Sequence, residues 1–368
     1  MRATYIQILL IMLALTVVIS QIRSAYRMEV VEGRKCWRMK WIAVILISVV
    51  LVYYTWNRSL GFGDTGTYAN SYKNLNITLS GLRDYLIADP KDFGYTTLMV
   101  LFKSIGLDFR TVLLIIAVLQ ITLLNITYRK YSSNYLLSIL LFVLSTDFYS
   151  WMWNGMRQFT AASIMFAGAG FIFDDKKVKA IFVILLASTF HQSALIMLPV
   201  LFFVQGRAFN KWSVICILFT VGIMFAVDLF TDVLDSGLEN TQYSTVVTDY
   251  QTGVVGVDDG TNPLRVLVYS VPLILALAGK KTIAWEDNNV INVCCNMSVV
   301  TTSLYLISMV TSGIYMGRLP IYFSLYNYIL LPWEIKKLFT PSSSKLMMVL
   351  CIMGYSCFYY YQMFVSWA

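Results

Sequence analysis

The side chains best suited to chemistry in this sequence stand alone at the beginnings of apolar segments. They are Arg110, Arg157, Arg265, Arg318 and the pair His191–Gln192. A helix N-terminus presents free backbone N–H groups and the positive end of the helix dipole, and arginine adds a planar guanidinium that binds two phosphate oxygens at once. Arg58, which ends an apolar segment, offers the same group. These positions together predict a binding site for a lipid diphosphate.

Arg157 and Arg318 are the strongest candidates within this group. Gln158 follows Arg157 at the start of its segment, and Gly317 precedes Arg318. A second interpretation stays open for every one of these arginines, because a long cationic side chain near a membrane also reaches towards lipid headgroups.

Two residues are candidates for a general base. His191 is the only histidine of the chain, and an imidazole, with a pKa of about 6.5 in water, accepts or donates a proton near neutrality. Asp64 lies in the Gly-rich segment 61–66, four residues before Tyr68, where a carboxylate would orient sugar hydroxyls or act as the base. A packing role for His191 and a turn role for Asp64 are the alternatives, since Asp and Gly are common turn residues.

The composition indicates the environment in which these residues act. Of the 368 residues, 58% are hydrophobic and only 13% are charged, whereas soluble domains contain about 25% charged residues. A chain of this kind is a polytopic membrane protein, and its net charge of +8 is a membrane-surface charge that does not indicate nucleic-acid binding. The six cysteines and the lone histidine follow no metal-ligand spacing.

The distribution of lysine and arginine predicts the topology. Apolar segments cover residues 3–22, 41–57, 108–128, 135–151, 158–173, 178–190, 193–205, 212–231, 264–279, 290–312, 318–333 and 346–366. Basic clusters occur at 23–40, 129–130, 176–179, 207–211, 280–281 and 336–345. The positive-inside rule is satisfied by all of them only if 178–205 is a helical hairpin. We therefore expect an all-α protein of about twelve membrane segments, within a range of about 10–13 that includes short or re-entrant ones, with both termini outside.

Two large segments are predicted on the outer side. The segment 58–107 contains a short apolar stretch, 93–105, which is too short to span and is expected to form a re-entrant or interfacial helix. The segment 232–263 is acidic and rich in turn residues. Neither segment suggests a separate unit, so the chain 1–368 is predicted to be a single integral membrane domain. No predicted membrane helix carries a charge at its middle, which disfavours an ion-coupled transporter.

Several short motifs resemble those of one known family. They are Gly63–Asp64–Thr65–Gly66–Thr67–Tyr68 with Tyr72, Phe93–Gly94–Tyr95, Gly155–Met156–Arg157–Gln158, Ala187–Ser188–Thr189–Phe190–His191–Gln192–Ser193–Ala194–Leu195–Ile196 and Gly317–Arg318–Leu319–Pro320. The sequence from about 58 to 335 resembles the EpsG-like polysaccharide polymerases, within the broader Wzy-type repeat-unit polymerases. One departure is visible, because many relatives carry a Glu just before the Gly-Tyr pair, where this chain has Asp92 and Phe93.

The resemblance implies an activity and a setting. Such an enzyme, with a GT-C-like membrane glycosyltransferase architecture, transfers a growing glycan from undecaprenyl diphosphate to a hydroxyl of the next lipid-linked repeat unit. The reaction would take place at the periplasmic or extracellular face of the bacterial cytoplasmic (inner) membrane, without a metal or another cofactor. Undecaprenyl-diphosphate-linked oligosaccharides and membrane lipids are the expected partners, and a chain-length regulator and a flippase are further candidate partners.

Two alternative functions stay open. An O-antigen-type ligase performs similar chemistry with a different acceptor. A flippase or transporter of lipid-linked oligosaccharides is the non-enzymatic alternative, for which we would expect polar residues to line a continuous path across the membrane instead of one outer vestibule.

Overall fold

The computed structural model describes residues 2–31, 34–88, 91–227, 260–311, 313 and 316–366. The α-helices are α1 (Arg2–Gln21), α2 (Trp41–Trp56), α3 (Thr65–Lys73), α4 (Leu82–Ala88), α5 (Phe93–Ser104), α6 (Phe109–Tyr131), α7 (Tyr135–Leu144), α8 (Met156–Ala167), α9 (Ala169–Phe173), α10 (Lys177–Ser188), α11 (Met197–Phe203), α12 (Lys211–Phe225), α13 (Pro263–Ala278), α14 (Lys280–Glu286), α15 (Asn289–Val310), α16 (Ile321–Ser324), α17 (Asn327–Lys337) and α18 (Pro341–Tyr361). Helical turns of 3₁₀ or π type cover Arg23–Ala25, Phe148–Asn154, Gln192–Ile196, Met316–Arg318 and Gln362–Ser366, and two strands, β1 (Tyr26–Val31) and β2 (Arg34–Met39), complete the list.

Several of these helices are suited to a bilayer. Within the described residues, four spans are long and apolar enough to cross a membrane: Arg2–Gln21, Phe109–Tyr131, Asn289–Val310 and Pro341–Ser366. Two bent pairs, α7 with Phe148–Asn154 and α13 with α14, raise the number to six if each pair is one span. The prediction of a helical membrane protein is therefore confirmed, whereas about twelve segments and a GT-C-like arrangement stay predictions.

The chain packs as two compact units. Unit 1 comprises Met1–Phe202 and Leu331–Ala368, and unit 2 comprises Phe203–Leu330. The prediction of a single domain over 1–368 stays a prediction. The predicted outer segment 232–263 lies outside the described residues except for its last few positions.

In unit 1, α2 and α6 run antiparallel. Arg110, in the first turn of α6, donates to the carbonyl oxygen of Trp56 at the end of α2 at 3.1 Å. Arg129, near the end of α6, donates from Nε to the carbonyl oxygen of Met39, just before α2, at 2.7 Å. The two arginines are about 28 Å apart along the α6 axis, close to the hydrocarbon thickness of a bilayer, about 30 Å.

A β-hairpin, which the sequence did not indicate, occupies the basic segment 23–40. Tyr26 of β1 pairs with Met39 of β2 in an antiparallel register. Glu29 of β1 forms ion pairs with Arg27 and Arg129. The hairpin is an exception to the otherwise helical fold, and it joins two predicted basic clusters. We call this side, with Arg129–Lys130, the basic end of unit 1.

The segment 178–205 forms two helices, as predicted, and they run antiparallel. Lys177, at the start of α10, lies 6.0 Å from the ring centre of Phe202, near the end of α11. A Cβ atom on Gly170, in the preceding α9, would lie 2.4 Å from the hydroxyl of Tyr131 at the end of α6. The helical hairpin therefore starts and finishes at the basic end, and its turn, around His191, lies at the opposite end.

Unit 2 separates its charges in the same way. Arg207 pairs with Asp287 at 3.6 Å, which brings the predicted cytoplasmic loops 206–211 and 280–289 together. The N–H of Thr261, just before α13, donates to the carbonyl oxygen of Ser308, near the end of α15, at 3.0 Å. The start of α13, with Arg265, is therefore at the far end of the unit from these basic loops.

Two acidic side chains are fully buried in unit 1. Asp147 lies at the 76° bend between α7 and Phe148–Asn154, and Glu334 lies within α17, and both are 0% exposed. Neither carboxyl oxygen of Glu334 has a hydrogen-bond partner among the described residues. Glu334 lies in the last turn of α17, near a helix end as the sequence predicted, but its burial weakens the argument against a transporter.

Candidate functional site

The first turn of α8 positions Arg157 and Gln158. Gln120, a buried amide in α6, donates from Nε2 to the carbonyl oxygen of Met156 at 3.1 Å and to the hydroxyl of Thr160 at 2.9 Å. Because one side chain binds both ends of this turn, the direction in which α8 begins is fixed by α6. Arg157, the second residue of α8, leaves this turn with 43% of its side chain exposed.

Asp92 connects this helix start to the turn that carries His191. Its carboxylate accepts a hydrogen bond from Arg157 Nη1 at Oδ2, at 2.9 Å, and one from the backbone N–H of Gln192 at Oδ1, at 3.1 Å. Asp92 is only 3% exposed and has a φ of +46°. A buried carboxylate is stable only when it is paired and hydrogen-bonded, and both conditions are met here.

The residues after Asp92 dock on the same turn. The N–H of Gly94 donates to the carbonyl oxygen of Thr189 at 2.8 Å. A Cβ atom at Gly94 would lie 2.2 Å from the hydroxyl oxygen of Thr189, so only glycine allows this approach. Two motifs that are almost 100 residues apart, Phe93–Gly94–Tyr95 and the one that contains Thr189 and His191, are therefore in direct contact.

His191 lies before the 3₁₀ turn Gln192–Ile196 and is partly buried. Its Nδ1 lies 2.7 Å from the hydroxyl oxygen of Ser193, which also accepts a hydrogen bond from Gln158 Nε2 at 3.5 Å. If Nδ1 carries the proton and donates to Ser193, Nε2 is the basic nitrogen of the ring. The neighbours Arg157 and Gln158 thus contact the His191 turn by two separate routes.

Two tyrosines surround the guanidinium of Arg157. Its central carbon lies 5.8 Å from the ring centre of Tyr95, and Tyr68 is a further electrostatic neighbour of the guanidinium. The rings of Tyr68 and Tyr95 meet edge to face at 6.4 Å. Burial raises the pKa of Tyr95, so this phenol stays protonated and the local charge is set by Arg157 and Asp92.

Asp64 is held next to the residues that precede α8. Its backbone N–H donates to Asn154 Oδ1 at 2.7 Å, just before Gly155. A Cβ atom at Gly63, whose φ is +46°, would lie 2.1 Å from the same oxygen. The Asp64 side chain makes no capping hydrogen bond to α3 and is partly exposed, so its carboxylate is accessible from this loop.

Arg58 is a buried cation beside this loop. It is 3% exposed, and it donates from Nε to the hydroxyl of Thr65 at 3.1 Å and from Nη2 to the sulfur of Met156 at 3.9 Å. No acidic side chain of the described residues forms an ion pair with it. Burial lowers the pKa of Arg58 to about 10, which still leaves it charged at neutral pH.

Arg110 is engaged by the backbone. Its Nη1 donates to the carbonyl oxygens of Trp56 and Arg58, at 3.1 and 2.8 Å, and the Asp108 carboxylate caps the helix on which it stands. These bonds fasten the start of α6 to the end of α2. Arg110 therefore has a clear structural task, beyond the anion binding that the sequence suggested.

Arg265 and Arg318 belong to unit 2 and form a second group. A Cβ atom at Gly317 would lie 2.7 Å from the hydroxyl of Thr261, so the Met316–Arg318 turn packs on the segment that leads into α13. Arg265 is in the first turn of α13, and Arg318 is exposed. The structure brings the turns of these two arginines together within unit 2, as it brings Arg157 and His191 together within unit 1.

The sequence did not identify Asp92 as a site residue. Its only signal was the departure noted above, an acid one position away from the Glu expected before the Gly-Tyr pair. Ser193 and Gln120 were also missed, because hydroxyl and amide groups in apolar segments have no distinctive spacing. In the described part of the chain, no group of three or more His, Cys, Asp or Glu residues could hold a metal ion.

Comparison with known protein families gives a match over most of the chain. A family model described as the EpsG family matches residues 39–368, which include every site residue named above. No curated protein and no solved structure matches the chain. The family match covers most of the sequence and contains both groups of arginines, and the chain therefore belongs to the EpsG family.

Proposed function

We propose that this protein is a Wzy-type polysaccharide polymerase. It transfers the growing glycan from undecaprenyl diphosphate to a hydroxyl of the next lipid-linked repeat unit, at the outer face of the bacterial inner membrane. Membership of the EpsG family suggests a polysaccharide polymerase-like function. One observation supports the finer proposal. The Asp92 carboxylate binds both Arg157, the cation proposed for the leaving group, and the turn that carries His191, a candidate base.

The first requirement of this reaction is a stable leaving group. The bond between the anomeric carbon and the diphosphate oxygen breaks, and the electron pair stays on the diphosphate. Arg157 is proposed to bind the diphosphate with its exposed part while Asp92 orients it. Donors that are already oriented towards developing charge need no rearrangement during the reaction, which is the basis of electrostatic catalysis.

The second requirement is removal of a proton from the acceptor. The acceptor hydroxyl attacks the anomeric carbon, and its proton passes to Nε2 of His191. Ser193, held by Gln158, would orient the ring through Nδ1, in the way that a third group orients the base in catalytic triads. Asp64 is the rival base, because its carboxylate is accessible near the same helix start.

The remaining site residues are proposed to bind the substrates. Gln192 and Tyr68 would contact the sugars or the diphosphate next to Arg157, and Arg58 and Arg110 would add positive charge at the same end of unit 1. Arg265 and Arg318 would bind diphosphate at unit 2. Undecaprenyl-diphosphate-linked oligosaccharides are therefore the proposed partners, together with membrane lipids, and a chain-length regulator and a flippase are further proposed partners.

A transporter of lipid-linked oligosaccharides is the second candidate. It is favoured by the buried carboxyl groups of Asp147 and Glu334, because ionisable groups buried in membrane helices commonly mark transport pathways. An O-antigen-type ligase shares the chemistry of the polymerase and differs in its acceptor.

One experiment separates these functions. We expect cells that lack the protein to accumulate single repeat units on undecaprenyl diphosphate in the outer leaflet, as detected by mass spectrometry of lipids after surface-restricted glycosidase treatment. Accumulation in the inner leaflet would indicate a transporter and overturn the proposal. Accumulation of long polymer that stays on the lipid carrier and is not transferred to a final acceptor would indicate a ligase.

A further inference from the structure

A cavity of about 350 Å³ lies beside Arg58 in unit 1, and neither Asp92 nor Arg157 is among its lining residues. Side chains from α1, from the end of α2 and from the π-helical turn before α8 form its walls. Ligand sites usually have volumes of about 300–1,000 Å³, so the cavity is large enough for a small ligand.

The walls of this cavity combine aromatic rings with hydrogen-bonding groups. Tyr5, Tyr53, Phe62 and Trp153 contribute rings, and Gln7 contributes an amide. The Gln7 side chain is exposed and forms no hydrogen bond with other described residues. A pyranose ring has an apolar C–H face that packs on aromatic rings and an edge of hydroxyl groups that bind amides, so this lining suits a sugar.

The aromatic walls are already held in place. Trp153 donates from Nε1 to the hydroxyl of Thr55 at 3.0 Å, and its ring centre lies 5.1 Å from that of Phe62. Tyr5 meets Phe62 at 6.5 Å, and the hydroxyl of Tyr359 donates to the backbone oxygen of Tyr5 at 2.9 Å. Because these side chains are already ordered, little conformational entropy is lost when a ligand binds, and binding is favoured.

The positive charge of Arg58 in the cavity wall favours an anionic sugar over a neutral one. Arg58 lines it, is 97% buried and has no acidic partner among the described residues. A buried cation without a counter-charge is unfavourable, and an anionic ligand would supply that charge. The carboxylate of a uronic acid attached to a pyranose ring meets both requirements of the lining.

We propose that this cavity is a subsite for an anionic sugar residue of the glycan, such as a uronic acid. The proposal rests on the proposed polymerase function and specifies part of its substrate. Three of the lining residues, Thr4, Tyr5 and Gln7, precede the region matched by the family, 39–368. The subsite would therefore add selectivity for this chain's own glycan to a reaction common to the family.

The test measures binding to the purified full-length protein in detergent, by saturation-transfer NMR with glucuronate, glucose and inorganic diphosphate as probes. We expect glucuronate to bind several-fold more tightly than glucose. Gln7→Ala and Tyr53→Ala should weaken glucuronate binding about threefold to tenfold, the range expected for one lost hydrogen bond or ring contact. Gln21→Ala, at the other end of α1, is the matched control and should bind glucuronate as the unaltered protein does.

Three results would overturn the subsite. The first is equal binding of glucose and glucuronate, and the second is unchanged glucuronate binding in both pocket variants. The third is diphosphate binding that is tighter than glucuronate binding and is lost in the same variants. This third result would assign the cavity to the lipid headgroup. Because no lipid-linked substrate is present, such a failure does not bear on the polymerase function, which the lipid-linked glycans of the cell test separately.

Discussion

Asp92 binds two parts of the candidate site through the two oxygens of one buried carboxylate. One oxygen holds Arg157 and the other holds the backbone of Gln192, next to His191. Asp92 also adopts a left-handed backbone conformation, which is unfavourable for residues other than glycine and is retained mainly at functional sites. The geometry of both proposed catalytic groups therefore depends on this single side chain.

We expect Arg157→Ala to reduce polymer synthesis at least about 100-fold, because charge-assisted hydrogen bonds to the diphosphate are each worth about 1.5–3 kcal/mol. Arg157→Lys should keep part of the activity, since lysine retains the charge but loses the paired contact. Asp92→Asn, which keeps an acceptor for the Gln192 N–H, should be more active than Asp92→Ala. Polymer formed in membranes from purified lipid-linked units is the measurement.

Arg83→Ala is the matched control for Arg157, because Arg83 is exposed on α4 in the same predicted outer segment. It should retain full activity. Normal polymer from Arg157→Ala would leave Arg157 as a headgroup anchor, which is the alternative that the sequence left open.

The choice between His191 and Asp64 as the base is a question of pH dependence. If His191 is the base, activity falls as pH decreases through the imidazole pKa, about 6.5 in water, because the protonated ring cannot accept the hydroxyl proton. His191→Gln should then lose about 10²–10⁴-fold in rate and show no such dependence. Initial rates between pH 5 and 8 (about the range in which only histidine normally titrates) are the measurement.

The opposite pattern would assign the reaction to Asp64. In that case Asp64→Asn is inactive, while His191→Gln is slow but keeps the pH profile of the unaltered enzyme. An active His191→Ala enzyme with an unchanged profile would remove His191 from the mechanism.

Arg157, Gln158 and His191 could be identified because residue type and position at the start of an apolar segment can be read from the sequence alone. It did not identify the pairing of these residues. Asp92 contacts groups that are 65 and 100 residues away, and the conformation that aims its carboxylate follows from tertiary contacts. The chemistry of the individual groups was therefore predictable, whereas the group that joins them was not.

At the scale of elements, the close contact between α5 and the turn after α10 depends on the absence of a side chain at Gly94. We expect Gly94→Ala to reduce activity at least about tenfold, because the new methyl group would strike the Thr189 side chain and overpacking costs about 1–3 kcal/mol. Activity and thermal unfolding of the purified protein should be measured together.

Gly354→Ala is the control for this change, since nothing lies within 4 Å of a Cβ atom there and the residue is within α18. It should be neutral or slightly stabilising. The double variant Gly94→Ala with Thr189→Gly removes the side-chain atoms that the methyl group would strike and should recover part of the activity. A fully active Gly94→Ala protein would mean that this contact does not position the site.

The elements themselves were predicted unevenly. The helical hairpin at 178–205 followed from the distribution of lysine and arginine and is present in the structure. The β-hairpin was missed because the charges of segment 23–40 drew attention to topology, although Arg27, Met28, Glu29 and Val30 alternate between polar and apolar residues as strands do.

At the scale of the molecule, each unit separates clustered from isolated basic residues. In unit 1 the hairpin strands and Arg129–Lys130 lie at one end, and Arg58, Arg110 and Arg157 lie at the other. A bilayer explains this separation, because clustered lysine and arginine stay on the cytoplasmic side while a functional site on the outer side needs its own cations. The assignment of the basic end to the cytoplasm is a prediction that labelling tests.

We expect loops 23–40, 174–179, 206–211 and 280–289 to be cytoplasmic, and 58–107 and 232–263 to face outwards. The antiparallel arrangement of α10 and α11 returns the chain to the end of unit 1 from which it started, as this topology requires. A membrane-impermeant maleimide applied to intact cells, with single cysteines introduced into a cysteine-free background, is the measurement.

The variants Ser80→Cys, Lys176→Cys and Lys280→Cys decide between the two arrangements. Ser80 lies in the predicted outer segment and is exposed, so its cysteine should react in intact cells. Cysteines at 176 and 280 should react only after the membrane is permeabilised, and that reaction is the control for their accessibility. If the cysteine at 280 reacts from outside while the one at 176 does not, the chain between them crosses the membrane an odd number of times, and an Arg207→Cys variant that also reacts from outside would assign the odd number to α10 and α11. The turn with His191 would then lie within the bilayer, away from the acceptor sugar, and His191 would lose its proposed role as the base.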